Sequence, residues 1–254
     1  MKLTSYQLLF ILCCLIVVGV TIQSYVGKNI EHMSQKYTAI IVEPREHKAL
    51  TFVLDNFCSN LDENWTIVVL HGNQNENFIQ SKLENELTRH KHRIRLNNLG
   101  VNNLSLDDYN KLLTSPQFYS YIDTEQFLIF QTDTMICEDY KDLIYEFMEY
   151  DYVGAPNTEW VGNGGLSLRK KSKMMEIINN NTRPFDENED VFFTNPKHNL
   201  KIPTIEIANR FSNENIYSDK SFGVHKPWNY LSEEDLKNKE MKCKGLHKLR
   251  ELNN

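Results

Sequence analysis

Phe127-Leu128-Ile129-Phe130 runs straight into Gln131-Thr132-Asp133-Thr134, so four apolar residues end in a polar tip that carries one carboxylate. Such an unbroken apolar run predicts a parallel strand buried on both faces. Open α/β sheets bind their ligands outside the carboxyl ends of their strands. Asp133, just past such an end, suits a hard divalent cation held against a diphosphate. The commoner duty of Asp after a strand is to shape a turn or cap a helix. Three later segments carry related chemistry. Val161-Gly162-Asn163-Gly164-Gly165-Leu166-Ser167-Leu168-Arg169 predicts a glycine-rich turn leading into a strand, where Gly164 and Gly165 admit a close ligand. Glu187-Asn188-Glu189-Asp190 gathers carboxylates that serve equally as a helix start. Ser221-Phe222-Gly223-Val224-His225-Lys226-Pro227-Trp228 sets an imidazole, an amine and an indole within four positions, a set able to bind metal, bind phosphate and stack on a ring.

The elements that must position these groups alternate. Tyr37–Val42 predicts a strand ending at Glu43-Pro44-Arg45. Ala49, Phe52, Val53, Phe57 and Leu61 follow at helical spacing. Trp65–Leu70 predicts a second strand. Phe78, Leu83 and Leu87 mark an amphipathic helix, and Ile94–Leu96 a short strand. Ser105–Ile122 has helical character that Pro116 must interrupt. Beyond Phe127–Phe130, a helix over Lys141–Tyr150 and a strand at Tyr152-Val153 continue the rhythm. Strand–helix alternation of this kind predicts right-handed βαβ units on a mostly parallel sheet.

The 254 residues suffice for one sizeable α/β domain with appendages, and 41% hydrophobic with 24% charged residues is globular composition. A net charge of −6, with Lys and Arg scattered except for Arg169-Lys170-Lys171 and a basic tail from Lys237 to Arg250, advertises no nucleic-acid surface. No G-x-G-x-x-G follows the first strand, and no P-loop, G-x-S-x-G elbow or H-E-x-x-H occurs. The usual phosphate cradles are therefore missing from a nucleotide-compatible pattern, and a metal on Asp133 is the natural substitute.

Between Lys2 and Lys28 no residue is charged, and Tyr6–Ile22 is a nearly continuous apolar stretch of 17 residues, at the short end of a membrane span. It is expected to be an uncleaved signal-anchor, with a cleaved signal peptide as the rival. The expected organisation is a short tail over 1–5, a transmembrane anchor over 6–22, a polar stem over 23–36, a globular domain over 37–230 and a helical polar tail over 231–254. Lys2 balances Lys28 and Lys36, so the positive-inside rule does not orient the span. Outside the apolar stretch only Cys58, Cys137 and Cys243 remain, which allows one disulfide or three free thiols. Asn64, Asn103 and Asn180 begin glycosylation sequons, usable only in a luminal domain.

In this order, QTDT at a strand end, YVGAP, GNGGLSLR, NED, FSNE and FGVHKPW resemble a domain-of-unknown-function family of giant DNA viruses, bacteria and fungi that is regarded as glycosyltransferase-like. The resemblance spans roughly residues 37–230. More distantly the series is similar to glycosyltransferases of the GT-A fold, which implies a Rossmann-like, mostly parallel central sheet flanked by helices. Their D-x-D motif holds Mn²⁺ or Mg²⁺ on a sugar-nucleotide diphosphate. The resemblance places Asp133 in its second acidic position, with Gln131 in the first, and gives His225 as the other metal ligand and Lys226 as a phosphate contact. It also places Glu189-Asp190 as the pair that supplies the catalytic base. Glu43, Arg45, Gln131, Thr132, Gly164, Gly165, Lys226 and Trp228 are the expected contacts to a nucleotide sugar. The implied protein is a membrane-anchored, type II, sugar-nucleotide-dependent transferase acting on a glycan or protein acceptor. An inactive glycan-binding or structural protein, and a nucleotidyltransferase or phosphohydrolase, are the alternatives.

Overall fold

A computed structural model describes residues 36–254, and Lys36–Asn254 forms one compact unit. The expected anchor Tyr6–Ile22 and nearly all of the stem lie outside the described residues. Among the described residues no helix is long and apolar enough to cross a membrane.

The central sheet has six strands in the order β3-β2-β1-β4-β7-β6. Its strands are β1 (Tyr37–Val42), β2 (Trp65–His71), β3 (Ile94–Asn98), β4 (Gln126–Ile129), β6 (Tyr152–Pro156) and β7 (Val161–Lys170). β1 to β4 are mutually parallel, whereas β7 runs antiparallel to both β4 and β6. The apolar runs are continuous because both faces are covered. Ala39, Ile41, Ile67, Val69, Leu128 and Phe130 enter one core, and Ile40, Val68, Leu70, Phe127 and Ile129 enter the other. Alternate residues of each strand thus serve opposite layers, as the two-residue period of a strand requires.

The first layer contains helices α1 (Leu50–Asn60) and α2 (Glu76–Asn85), whose Phe57 stacks on Phe130 with ring centroids 3.9 Å apart. The second contains α3 (Leu106–Leu113), α4 (Pro116–Ser120), α5 (Lys171–Asn180) and the short α6 (Glu189–Phe193). Pro116 interrupts the helical stretch as expected. It opens α4, where its missing N–H is harmless. Lys141–Tyr150, expected as an α-helix, lies instead mostly in 3₁₀ turns over Glu138–Phe147.

The glycine-rich segment departs from expectation. Gly162–Gly165 lies within β7, and the hairpin turn falls earlier, where Asn157 Oδ1 accepts from the backbone N–H groups of Glu159 and Trp160 at 2.8 and 2.7 Å. Gly154 pairs with Ser167 while the next residue, Ala155, pairs with Asn163. β7 therefore carries extra residues opposite β6, and Gly164–Leu166 bulges out of the ladder. Periodicity cannot separate a glycine bulge from a glycine turn, because both need the same absent side chain.

A second sheet has the order β5-β9-β8, with β5 (Thr134–Ile136), β8 (Ser212–Asn213) and β9 (Gly223–His225). A four-residue helix, α7 (Ile205–Ala208), precedes β8. The segment expected as a polar tail belongs to the domain. Its helices α8 (Glu233–Lys242) and α9 (Leu246–Asn253) bury Leu236, Cys243, Leu246 and Leu249 in the first core. Cys243 is disulfide-bonded to Cys137 beside β5, which settles the cysteine alternatives and leaves Cys58 free and buried.

Candidate active site

Strand order reverses between β1 and β4: β2 and β3 continue to one side, β7 and β6 to the other. Such a switch point opens a crevice at the carboxyl ends of the two strands. The residues after β1 and β4 meet there in a cavity of about 230 Å³ lined by Glu43, Arg45, Gln131, Thr132 and Asp133. A second cavity of about 300 Å³ is lined by Gly164, Gly165, Glu189, Asp190, His225 and Lys226. Leu106, Tyr109 and Gln131 line both, so the two are halves of one cleft. The cleft thus collects every expected site residue except Trp228, which packs against the first core.

In the first half, Glu43 is buried and grips Arg45 through two bonds, Nε to Oε1 and Nη2 to Oε2, both 2.8 Å. Asn75 donates to the carbonyls of both residues at 2.8 Å and fixes the loop. Glu43 is therefore committed to orienting Arg45, and Arg45 is the group left to meet an anion. The hydrogen bond it donates to Glu43 raises the Arg45 pKa further. Gln131 donates from its amide Nε2 to the Tyr109 hydroxyl at 3.1 Å.

At the junction, Asp133 Oδ1 stands 3.4 Å from His225 Nε2. Burial pushes the Asp133 carboxyl up, but His225 and Lys226 outweigh it and hold it below its usual range. Burial lowers the His225 pKa, and Asp133 and Glu214 more than reverse this, raising it to about 9. Lys226 donates its backbone N–H to Asp133 O at 2.9 Å from a left-handed conformation (φ 34°) uncommon outside glycine. Gly165 packs against the imidazole so closely that a Cβ there would lie 2.3 Å from it.

Asp133 Oδ1 and His225 Nε2 are both buried with no hydrogen-bond partner. A carboxylate oxygen and an imidazole nitrogen at this separation can share one small cation, since each bonds such an ion at about 2.0–2.3 Å. Among the described residues no group of three or more metal-ligating side chains stands together. A cation here would take its remaining ligands from substrate oxygens and water, the habit of Mg²⁺ at phosphate sites. The donor set fits that use.

In the second half the two expected base candidates part. Glu189 is enclosed and bound by both oxygens to Arg169, at 2.6 and 2.9 Å. Burial pushes its carboxyl up while the guanidinium pulls it back. Both Glu189 oxygens are thus engaged by Arg169, while the residue still lines the second cavity. Asp190 accepts from Gly164 N–H at 3.0 Å and remains partly exposed along the bulge. Sequence reading also missed Glu214, 3.1 Å from His225 Nδ1, Arg169 beneath Gly164, and Asn110, which accepts from Glu189 N–H. Only FSNE, in the ordered motif series, pointed at Glu214.

Solved structures similar to the chain include the glycosyltransferase GlyE of Streptococcus pneumoniae TIGR4, with 13% identity over 86% of this chain and a TM-score of 0.52. This chain spans 62% of GlyE. The galactosyltransferase LgtC, solved with donor and acceptor sugar analogues, shares 11% identity over 85% of this chain and 94% of its own, with a TM-score of 0.50. At these identities the likeness is one of fold, a GT-A-like glycosyltransferase fold. No curated protein matches the sequence. Residues 93–225 match the family model described as "Protein of unknown function (DUF5672)".

Proposed function

The chain belongs to the DUF5672 family, and from that premise and the cleft we propose that it is a glycosyltransferase moving a sugar from a nucleotide-sugar donor to an acceptor hydroxyl. The observation that carries this reading is the convergence of Asp133 Oδ1 and His225 Nε2, buried and unpartnered, at the switch point of a GT-A-like sheet. The shared fold of GlyE and LgtC supports it.

Asp133 and His225 would hold a divalent cation, Mn²⁺ or Mg²⁺, which neutralises the charge developing on the leaving diphosphate. Arg45, held out by Glu43, and Lys226 add positive charge at the two halves of the cleft. Thr132 and Gln131 line the nucleotide side, and Gly164 and Gly165 give the sugar close approach to backbone. Asp190 takes the proton of the acceptor hydroxyl. That oxygen bonds to the anomeric carbon as the carbon–oxygen bond to the diphosphate breaks, its electron pair leaving with the phosphate. One displacement of this kind inverts the anomeric centre. The acceptor is a glycan or a protein, and no nucleic acid is involved. Tyr6–Ile22 serves as a type II signal-anchor, and the Cys137–Cys243 disulfide supports a domain in an oxidising compartment.

The test is nucleoside diphosphate release by the full-length chain from a panel of UDP-, GDP- and dTDP-sugars, with Mn²⁺, Mg²⁺ or EDTA. Release from one donor, suppressed by EDTA and by Asp133→Ala, is expected. Silence across the panel, with no donor raising the melting temperature, would instead indicate a non-catalytic protein; pyrophosphate as product would indicate nucleotidyl transfer.

A further inference from the structure

The small sheet β5-β9-β8 repeats its strand order in a row of side chains, Asp133, His225 and Glu214. Asp133 immediately precedes β5, His225 ends β9, and Glu214 immediately follows β8. Thr134 pairs with His225 across β5 and β9. Ser212 pairs with Gly223 and Asn213 with Val224 across β8 and β9, so the next step in register sets Glu214 beside His225. Glu214 Oε1 lies 3.1 Å from His225 Nδ1, on the ring edge opposite Asp133.

Glu214 is 1% exposed and His225 2%, whereas the Asp133 side chain keeps 24% of its surface open. The row therefore opens to solvent at its Asp133 end. A carboxylate buried as deeply as Glu214 is costly unless it is paired. Among the described residues its one ion-pair partner is His225. The site is stiffly built: Asn213 Nδ2 donates to Asn209 Oδ1 at 3.2 Å and to Ile216 O, and Phe211 stacks on Phe222 with centroids 5.5 Å apart. Gly165 lies against the imidazole on one side, where a Cβ would stand 2.3 Å from Cε1 and Nε2.

We propose that Glu214 is a positioning residue: its carboxylate accepts the Nδ1 proton of His225, and so fixes Nε2 toward Asp133 Oδ1 as a ready ligand for one oxophilic cation. Ligating histidines commonly carry such a carboxylate on the other ring nitrogen, which sets tautomer and ring orientation. Glu214 does not touch donor or acceptor. The proposal rests on the metal reading for its use, but the orientation of His225 is a property of the metal-free protein.

The experiment uses the full-length chain as wild type, Glu214→Gln and Glu214→Ala. Free Mn²⁺ is followed by electron paramagnetic resonance, and the imidazole of the metal-free, [¹⁵N]histidine-labelled protein by long-range ¹H–¹⁵N spectra, with His225→Gln giving the assignment. Glu214→Ala is expected to weaken Mn²⁺ binding by about 10- to 100-fold and to shift the His225 Nδ1 resonance. Glu214→Gln, which keeps an acceptor oxygen without the charge, should show a smaller loss, and it also serves if the alanine variant fails to fold. Melting temperatures recorded alongside separate this from a packing effect, which would move stability and leave Mn²⁺ affinity alone. An Nδ1 resonance and Mn²⁺ affinity unchanged in Glu214→Gln and Glu214→Ala overturn the proposal. A wild type that ignores Mn²⁺, with the Nδ1 resonance still moved by Glu214→Gln, removes the metal reading and upholds the positioning.

Discussion

Arg169 and Glu189 meet in a bidentate ion pair, at 2.6 and 2.9 Å, directly beneath Gly164. Arg169 belongs to β7 and Glu189 opens α6, so the pair ties that short helix to the bulged strand. A Cβ on Gly164 would lie 2.3 Å from Glu189 Oε1, so only glycine lets the backbone settle over the pair. Tyr152 and Phe193 cover the guanidinium at 4.5 and 5.6 Å from their ring centroids. Breaking a buried pair of this kind strands a charge. Arg169→Met should destabilise the protein by about 3–5 kcal/mol, and the double variant Arg169→Met with Glu189→Leu by distinctly less. Urea denaturation of the three proteins measures both. Equal losses in single and double variants would mean that packing, and not the stranded carboxylate, sets the cost.

Asp190 is the residue that the pair below it places. Asp190→Asn keeps an oxygen for the Gly164 N–H and gives up only the exposed bond from the Val191 N–H, a small cost to stability, yet it removes the base. Sugar transfer should fall by about 10²- to 10⁴-fold, the usual contribution of a positioned base, with the melting temperature nearly unchanged. Glu189→Gln should show the opposite pattern, a loss of stability out of proportion to any selective loss of turnover. If Glu189→Gln abolishes transfer in a protein as stable as wild type, the assignment of the base to Asp190 is wrong.

Gly165 shapes the other wall of the site. A methyl group there would stand 2.3 Å from His225 Cε1 and Nε2, and Glu214 Oε1 already stands 3.1 Å from Nδ1 on the other ring edge. Gly165→Ala must therefore displace the imidazole relative to Asp133. A displacement near 1 Å in a reacting constellation costs on the order of 10²-fold in rate. The expected result is a cation requirement shifted to higher Mn²⁺ with transfer reduced to that extent. A variant with the wild-type Mn²⁺ dependence would show that His225 does not serve the cation.

The sequence made some of these features visible and hid others for physical reasons. Asp133 could be placed at a strand end because Phe127–Phe130 is apolar on both faces, a pattern carried by neighbouring residues alone. The alternation around it gave a mostly parallel α/β sheet for the same reason, whereas the likeness to the GT-A fold came from the resemblance of the ordered motifs. Glu214 was hidden because its meaning arises from strand register: β8 is two residues long, and nothing local shows that it lies beside His225. Arg169 and Glu189 are 20 residues apart and form a unit only once β7 and α6 pack. The C-terminal segment looked like a solvated tail because charged residues dominate it. Its few apolar residues, with Cys243, face the core once the disulfide to Cys137 is made.

Lys239, in that same segment, yields a prediction with a defined pH window. Its side chain is fully buried on α8, where Nζ donates to Ser218 O at 2.9 Å and Ser221 Oγ at 2.7 Å. It makes no ion pair among the described residues. Burial pushes its pKa down to about 7, only partly offset by Asp219. An unfolded lysine titrates near 10.4. Below pH 7 both states are protonated, and the fold bears the full cost of a buried charge. Between about 7 and about 10.4 the unfolded chain binds more protons than the folded one, so this group makes stability rise with pH across that window. Lys239→Met removes the titration. Its stability relative to wild type should be most favourable near pH 6 and decline by a few kcal/mol, on the order of 4, by about pH 10. The two lost hydrogen bonds add only an offset that varies little with pH. Denaturation of both proteins at pH 6, 8 and 10 gives the difference directly, and a pH-independent difference would mean that Lys239 carries its charge in the folded state as easily as in water.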